Sequence, residues 1–293
     1  MSSEALLGLD FGGTKIALAL AELTGETIAV TTVPTNAADG AEQALERGIT
    51  AARDLLRHRQ KEAAAVGIAT MGLTRDDRVD LAPNVPGWNL LALPDRFRAA
   101  FAPAPVAIDN DVRAAARAEL TWGELSGVQT GIYLNLGSGL AATLVIGGEI
   151  VVGAHDAAGE VGYWLRSRAD RPGSAPLEEY AGGAGIRRRA RAELGVDAGL
   201  GELMASPDRA LQLFVTDLFD EIAVQVTNLV TALDPERLVI GGGFVRDPDR
   251  LLAVVQSRVA AHVPFPPEVR LARFGGDAAL AGAIALAMRV AGD

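Results

Sequence analysis

Residues 7–20 read LGLDFGGTKIALAL: an apolar run, two glycines set between an aspartate and a lysine, then a second apolar run. A strand that breaks on glycine and resumes as strand is a hairpin corner, and this one is polar and small enough to admit a ligand. The surrounding stretches extend it. ALLGLDFGG, KIALALAEL and TIAVTTV, with a turn at TGE, read as three successive antiparallel strands. Apolar positions Ala41, Ala44, Leu45, Gly48, Ile49, Ala52, Leu55 and Leu56 keep helical spacing across 39–58. The strand AAVGIAT follows, and VAID ends at Asp109.

The same order then recurs. GIYLNLGSG (131–139), LAATLVIGG (140–148) and EIVVGA (149–154) again give strand, glycine corner, strand, tight turn, strand. Helices are predicted over 177–194 and from Ser206, with Ser206 as N-cap and Pro207 in the first turn, to about Leu233. The strand RLVIGGG (237–243), a helix near 248–262, the strand VRLARF and a helix from Asp277 complete the chain. Two halves that each open on a glycine-cornered meander predict a duplicated α/β core of two lobes, the corners facing one another across a cleft. This is the actin-like ATPase and sugar-kinase arrangement, built on a ribonuclease H-like unit. The expected division is a small lobe over 1–110, with the helix 277–293 packing back on it, and a large lobe over 111–276.

Composition sets limits. The 293 residues carry a formal charge of −10, which argues against general nucleic-acid binding. There is no cysteine, so disulfides and thiolate metal sites are excluded, in keeping with a cytoplasmic protein. The N-terminus lacks a signal-peptide pattern, and the longest apolar run, AALAGAIALAM, is shorter than the ~18 residues of a membrane span.

GLDFGGTK is a near miss to the P-loop, but the following IALAL alternates as a strand where a P-loop needs a helix. Its DFG lacks a protein-kinase context. A hairpin corner offers another phosphate mode: Gly12 and Gly13 let backbone N–H groups approach an anion, Thr14 adds a hydroxyl, Lys15 a positive charge, and Asp10 can hold Mg²⁺ through water. An ordinary tight turn would use the same two glycines.

Together GLDFGGTK, PNVPGW (83–88), DNDVRAAARAE (109–119), GAHDAAGEVGYW (153–164), PLEEYAGG (176–183) and LDPERLVIGGG (233–243) resemble the ROK family, and most of all its bacterial glucokinase-type sugar kinases. The resemblance runs from Leu7 to about Ala287. It implies that Asp10, Gly12, Gly13, Thr14 and Lys15 form a first phosphate loop, that Gly137, Ser138 and Gly139 form a second, and that Gly241, Gly242 and Gly243 lie beside the adenosine of ATP. It implies that Asn110 binds sugar and Asp111 is the catalytic base, with Glu160 and Glu178 contacting sugar and Asn84 a weaker contact. Taken alone, Asp111 reads first as a helix N-cap for VRAAARAEL; either glutamate could be a solvated side chain, though two acceptor oxygens for paired sugar hydroxyls are the better account.

The implied activity is transfer of phosphate from Mg-ATP to the 6-hydroxyl of a hexose, with glucose first. Mannose, fructose, glucosamine, N-acetylmannosamine and kanosamine are the alternatives, as is a sugar sensor without catalysis. A repressor of this family would carry a DNA-binding domain ahead of the corner, where only a few residues stand here. The family also implies a homodimer.

Three departures from the family pattern stand out. Its zinc knuckle is replaced by a segment without cysteine, and Tyr163 occupies the position of the family's sugar-touching, zinc-binding histidine, so zinc is expected absent. Arg113 stands where relatives often have asparagine, and is expected to face solvent. The second corner continues LAAT where relatives often have glycines. Arginines at 166–171 and in RRRAR (187–191) offer either a polyphosphate-attracting patch or a solvated face, the commoner case. Of His58, His155 and His262, none has metal-ligand spacing, and His155 is the one expected near substrate.

Overall fold

A computed structural model describes residues 3–75, 77–82, 85–166, 175–246 and 248–292. The chain divides into two compact units: 1–123 with 152–157 and 276–293, and 124–151 with 158–275.

In the first unit, strands β1 (Glu4–Phe11), β2 (Lys15–Ala21) and β3 (Thr27–Pro34) form the expected meander, followed by helix α1 (Ala41–Arg59) and strand β4 (Glu62–Thr70). A short hairpin of β5 (Leu73–Thr74) and β6 (Val79–Asp80) comes next, then α2 (Leu93–Phe101), β7 (Val106–Asn110) and α3 (Asp111–Trp122). The sheet order is β3-β2-β1-β4-β7, with β1, β4 and β7 parallel and β2 antiparallel to its neighbours.

The second unit repeats this order. Strands β8 (Thr130–Leu136), β9 (Leu140–Ile146) and β10 (Glu149–Val151) precede helices α4 (Leu177–Ala181), α5 (Gly183–Leu194), α6 (Leu200–Ala205) and α7 (Arg209–Leu233). Strand β11 (Arg237–Gly241), helix α8 (Asp249–His262) and strand β12 (Glu268–Leu271) follow, giving the order β10-β9-β8-β11-β12. The last helix, α9 (Ala278–Ala291), belongs to the first unit. The chain therefore has the duplicated actin-like ATPase architecture that its sequence predicts.

The side chains of β2 show how the first unit is built. Ile16, Leu18 and Leu20 join the core with Phe11, Trp88 and Phe97, whose rings lie with centroids 5.3 Å from that of Phe11. On the other face Ala17, Ala19 and Ala21 meet Leu280 and Ile284 of α9. Small residues on that face admit the helix closely. At Gly67 a Cβ would fall on the Ala283 carbonyl oxygen, and at Gly282 on that of Ala114, so glycine is required at both. A sheet covered on both faces explains why β1 reads as an almost unbroken apolar run.

Three expectations change. Helix α3 packs on α9 and lies with the first unit, which moves the boundary from 110/111 to after Gly123. The N-cap of α7 is Asp208, whose Oδ1 accepts from the N–H groups of Ala210 (2.8 Å) and Leu211 (3.2 Å); Ser206 instead accepts from Asp208 N–H. A carboxylate at the helix entrance wins over the Ser-Pro start because it reaches two orphan donors at once. The helix expected over 177–194 is two helices, separated by an extended Gly182. Among the described residues no helix is long and apolar enough to cross a membrane.

Gly67→Ala is expected to destabilise the protein by about 3 kcal/mol, since backbone on α9 must retreat. Gly201→Ala, inside α6 with open space around its Cβ position, is expected to stabilise by about 0.5–1 kcal/mol. Urea unfolding midpoints check both.

Candidate active site

The first corner is the turn between β1 and β2. Gly12 N–H donates to the Lys15 carbonyl (3.0 Å), closing it. Gly13, Thr14 and Lys15 are exposed. Behind them Thr35, 1% exposed, donates its hydroxyl to the Gly12 carbonyl (2.6 Å) and its N–H to the Thr14 carbonyl (2.9 Å). Asp10 is the last residue but one of β1, beside this turn. Burial, then the charges of Asp111 and Asp277, raise its carboxyl to about 7 against the opposing pull of Lys15.

The β7–α3 junction supplies Asp109, Asn110 and Asp111, and here Asn110 is the cap. Its Oδ1 accepts from Arg113 N–H at 2.6 Å. Asp111 is thus the first residue of the helix, with Oδ1 accepting from Val112 N–H (2.9 Å) and its side chain keeping solvent-accessible surface. The protein crowded around the carboxyl outweighs that access and raises its pKa to about 6, opposed by the N–H groups of Val112 and of Asp111 itself.

Arg113 does not face solvent. It is 4% exposed, pairs with buried Asp109 and donates to the carbonyls of Asp156 (2.9 Å) and Thr74 (3.4 Å). Asp109 also accepts from Asn110 N–H (2.9 Å). One guanidinium therefore holds the strand end, the β5 hairpin and the 152–157 segment. This was not legible because both carbonyl partners are remote in sequence. His155, exposed, lies in that same segment.

In the second unit Gly137, Ser138 and Gly139 form the turn between β8 and β9. Gly183 N–H, at the start of α5, donates to the carbonyls of Gly137 (3.0 Å) and Ser138 (3.2 Å). Gly241–Gly243 lie alongside: a Cβ on Gly137 would sit 3.2 Å from Gly243 N. Gly242 has φ +91°, and a Cβ there would meet the Leu136 carbonyl and Asn135 Oδ1, which excludes other residues. Glu178 Oε2 accepts from Leu140 N–H (2.9 Å), fixing this carboxylate at the corner. Tyr163 is 60% exposed; partial desolvation and the charges of Glu160 and Glu178 raise the pKa of its hydroxyl.

Asn84 and most of the 163–176 segment (167–174) lie outside the described residues. The arginines of α5 pair with acids of the same unit: Arg187 with Asp197 (3.3 Å), Arg188 with Glu179 (2.8 Å), Arg189 with Glu193 (2.8 Å) and Arg191 with Asp197 (2.7 Å). Arg187, Arg188 and Arg191 are exposed, as on a solvated helix face, whereas the Arg189 side chain is only 13% exposed and lies over the rings of Tyr180 and Phe214. Sequence reasoning passed over Thr35, Asp109 and Asp277; the last, just before α9, had no motif to mark it.

The ROK family model matches residues 6–290. The chain is 29% identical to a glucokinase of Halalkalibacterium halodurans, over 96% of this chain and 94% of the other. It is 31% identical to a fructokinase of Zymomonas mobilis, over 96% and 95%. Among solved structures, a ROK family glucokinase from Streptomyces griseus in complex with glucose and AMPPNP superposes with a TM-score of 0.78 at 26% identity, covering 97% of this chain and 99% of that one.

Two outcomes follow from the electrostatics. Both raised carboxyls bind protons more tightly folded than unfolded, so their contribution to stability is full below pH ~4 and is lost as pH rises through about 6 to 7. Asp10→Asn is expected to raise Tm at pH 7.5 by a few degrees, and by less at pH 4.5, in thermal melts across that range. Arg113→Met should destabilise by about 3–5 kcal/mol, because it strands a buried carboxylate. Adding Asp109→Asn should restore part of the loss in denaturant titrations.

Proposed function

The chain belongs to the ROK family, and from that premise we propose that it is an ATP-dependent sugar kinase that phosphorylates the 6-hydroxyl of a hexose, glucose first among the candidates. The observation that carries this reading is the division of labour at the β7–α3 junction. Asn110 takes the helix cap, so the Asp111 carboxylate, which accepts from Val112 N–H, is not committed to capping.

A sugar hydroxyl that attacks a phosphoryl group must lose its proton, and a positioned carboxylate with a pKa of about 6 is largely ionised at neutral pH yet still basic enough to accept it. The rest of phosphoryl transfer is positioning and charge neutralisation. Backbone N–H groups of the two glycine corners are suited to phosphate oxygens, with Thr14, Lys15 and Ser138 adding side-chain donors. Gly241–Gly243 offer a surface with little side chain against which an adenosine can lie. Asn110 keeps its amide NH₂ for a sugar hydroxyl. Glu160, Tyr163 and Glu178 supply acceptors and a hydroxyl for others.

Among the described residues no group of three or more His, Cys, Asp or Glu side chains is placed to hold a metal ion directly; Asp10, a single hard oxygen donor beside the first corner, would instead hold Mg²⁺ through water. When bound, Mg²⁺ would neutralise charge on the transferring phosphoryl group. Zinc has no part in this reading. Neither does nucleic acid or a membrane; the protein acts on a small sugar, as a cytoplasmic homodimer.

ADP release with Mg-ATP against glucose, mannose, fructose, glucosamine, N-acetylmannosamine and kanosamine tests the proposal. Sugar-dependent release is expected, with an acid limb in kcat near pH 6. Asp111→Asn should lower kcat by about 10²–10⁴ while sugar affinity stays within about threefold. If no sugar stimulates release yet one raises Tm, the protein is a sensor and the kinase assignment fails.

A further inference from the structure

We propose that Thr35 is a positioning residue for donor binding: it aims the backbone N–H groups of the first glycine corner at the phosphates. The inference rests on the kinase reading above and concerns a residue that never touches substrate.

The argument is one of peptide geometry. In a planar trans peptide the carbonyl of one residue and the N–H of the next point in opposite directions. Whatever fixes the Gly12 carbonyl therefore fixes the Gly13 N–H, and whatever fixes the Thr14 carbonyl fixes the Lys15 N–H. Thr35 does both, the first with its hydroxyl at 2.6 Å and the second with its own N–H at 2.9 Å. Each carbonyl is drawn back toward the residue after β3, so each following N–H turns away from it.

The anchoring matters because glycine peptides are free to rotate. A flip of the Gly12–Gly13 peptide would present a carbonyl oxygen where an anion is to bind and replace attraction by repulsion. An anion-binding turn made of successive N–H groups works only while its carbonyls are held behind it.

Thr35 is itself braced. Arg47 of α1 donates Nη1 to the Thr35 carbonyl (2.6 Å) and pairs through Nη2 with Asp39 (2.7 Å). The hydroxyl is buried and spent on a carbonyl 23 residues away in sequence, at the corner where Gly13, Thr14 and Lys15 are exposed. A packing role alone would be met equally well by valine, which has the same shape.

Thr35→Val tests this, since it removes the hydroxyl and keeps both the volume and the backbone N–H. The expected result is a rise of about tenfold in the ADP dissociation constant and in KM for ATP, the loss of one hydrogen bond's worth of pre-organisation. KM for the sugar should stay within about twofold. Thr35→Ser, which keeps the hydroxyl, should restore nucleotide affinity to within about twofold of the parent. Arg47→Met, which frees the Thr35 carbonyl but leaves the hydroxyl, should shift ADP binding the same way by a smaller factor, and it decides the matter if Thr35→Val does not fold.

Nucleotide binding is measured by calorimetry with ADP and Mg²⁺, and the kinetic split by ADP release. Unchanged ADP affinity in Thr35→Val, with only its Tm lowered, would overturn the inference and leave the kinase reading standing. A parent protein that binds no ADP or ATP, with or without sugar, overturns both.

Discussion

A peptide plane cannot point its carbonyl and the next N–H the same way, and both glycine corners of this protein are organised around that constraint. In the first, Thr35 draws back the carbonyls of Gly12 and Thr14; in the second, the N–H of Gly183 draws back those of Gly137 and Ser138. The anchors differ in kind, a threonine after a strand and the first residue of a helix, yet they do the same work. Glycine is needed at such corners because no side chain then stands between backbone and ligand. The same freedom makes an unanchored corner useless for binding. The remaining architecture can be seen as what brings an anchor to each corner: β3 runs antiparallel to β2 and delivers Thr35, and the break at Gly182 allows α5 to begin where Gly183 reaches the turn.

The β7–α3 junction meets a different constraint, a carboxylate at a helix entrance that its neighbour caps. An aspartate at a helix entrance ordinarily caps it; Asp111 instead accepts from the N–H of Val112, the next residue. Asn110 supplies the cap, and the Asp109–Arg113 pair removes the remaining slack by tying the strand end to Thr74 and Asp156. Three consecutive polar residues thus have three separate tasks. A buried ion pair is a poor source of net stability; its value here is that one planar cation satisfies acceptors on three chain segments at once.

What the sequence made legible was local or repeated. The meanders, the corners and the apolar run of β1 could be read because each depends on neighbours a few residues away, and their recurrence after residue 130 supplied the duplication. What it hid was contact between distant segments. Arg113 looked like a solvent-facing helix residue because nothing nearby in sequence announces the Thr74 and Asp156 carbonyls. Thr35 sits in an unremarked turn, 23 residues from its partner. The α7 cap was misplaced by two residues because Ser-Pro is a strong local signal, and only the three-dimensional entrance shows that Asp208 reaches two donors. For Asp111 the sequence left the role divided between cap and base; the structure removes the cap, because Asn110 holds it.

The same first unit carries its charge at a cost. Asp10 and Asp111 both have carboxyls held above their ordinary range by burial, and the charge of Asp111 further raises Asp10. Ionising them at neutral pH works against the folded state, and Lys15 offsets only part of this for Asp10. A stability-driven sequence would place an amide or an apolar residue at one of these positions. In the kinase reading proposed above, a bound cation would relieve these unfavourable terms, since anything that binds only the folded protein stabilises it.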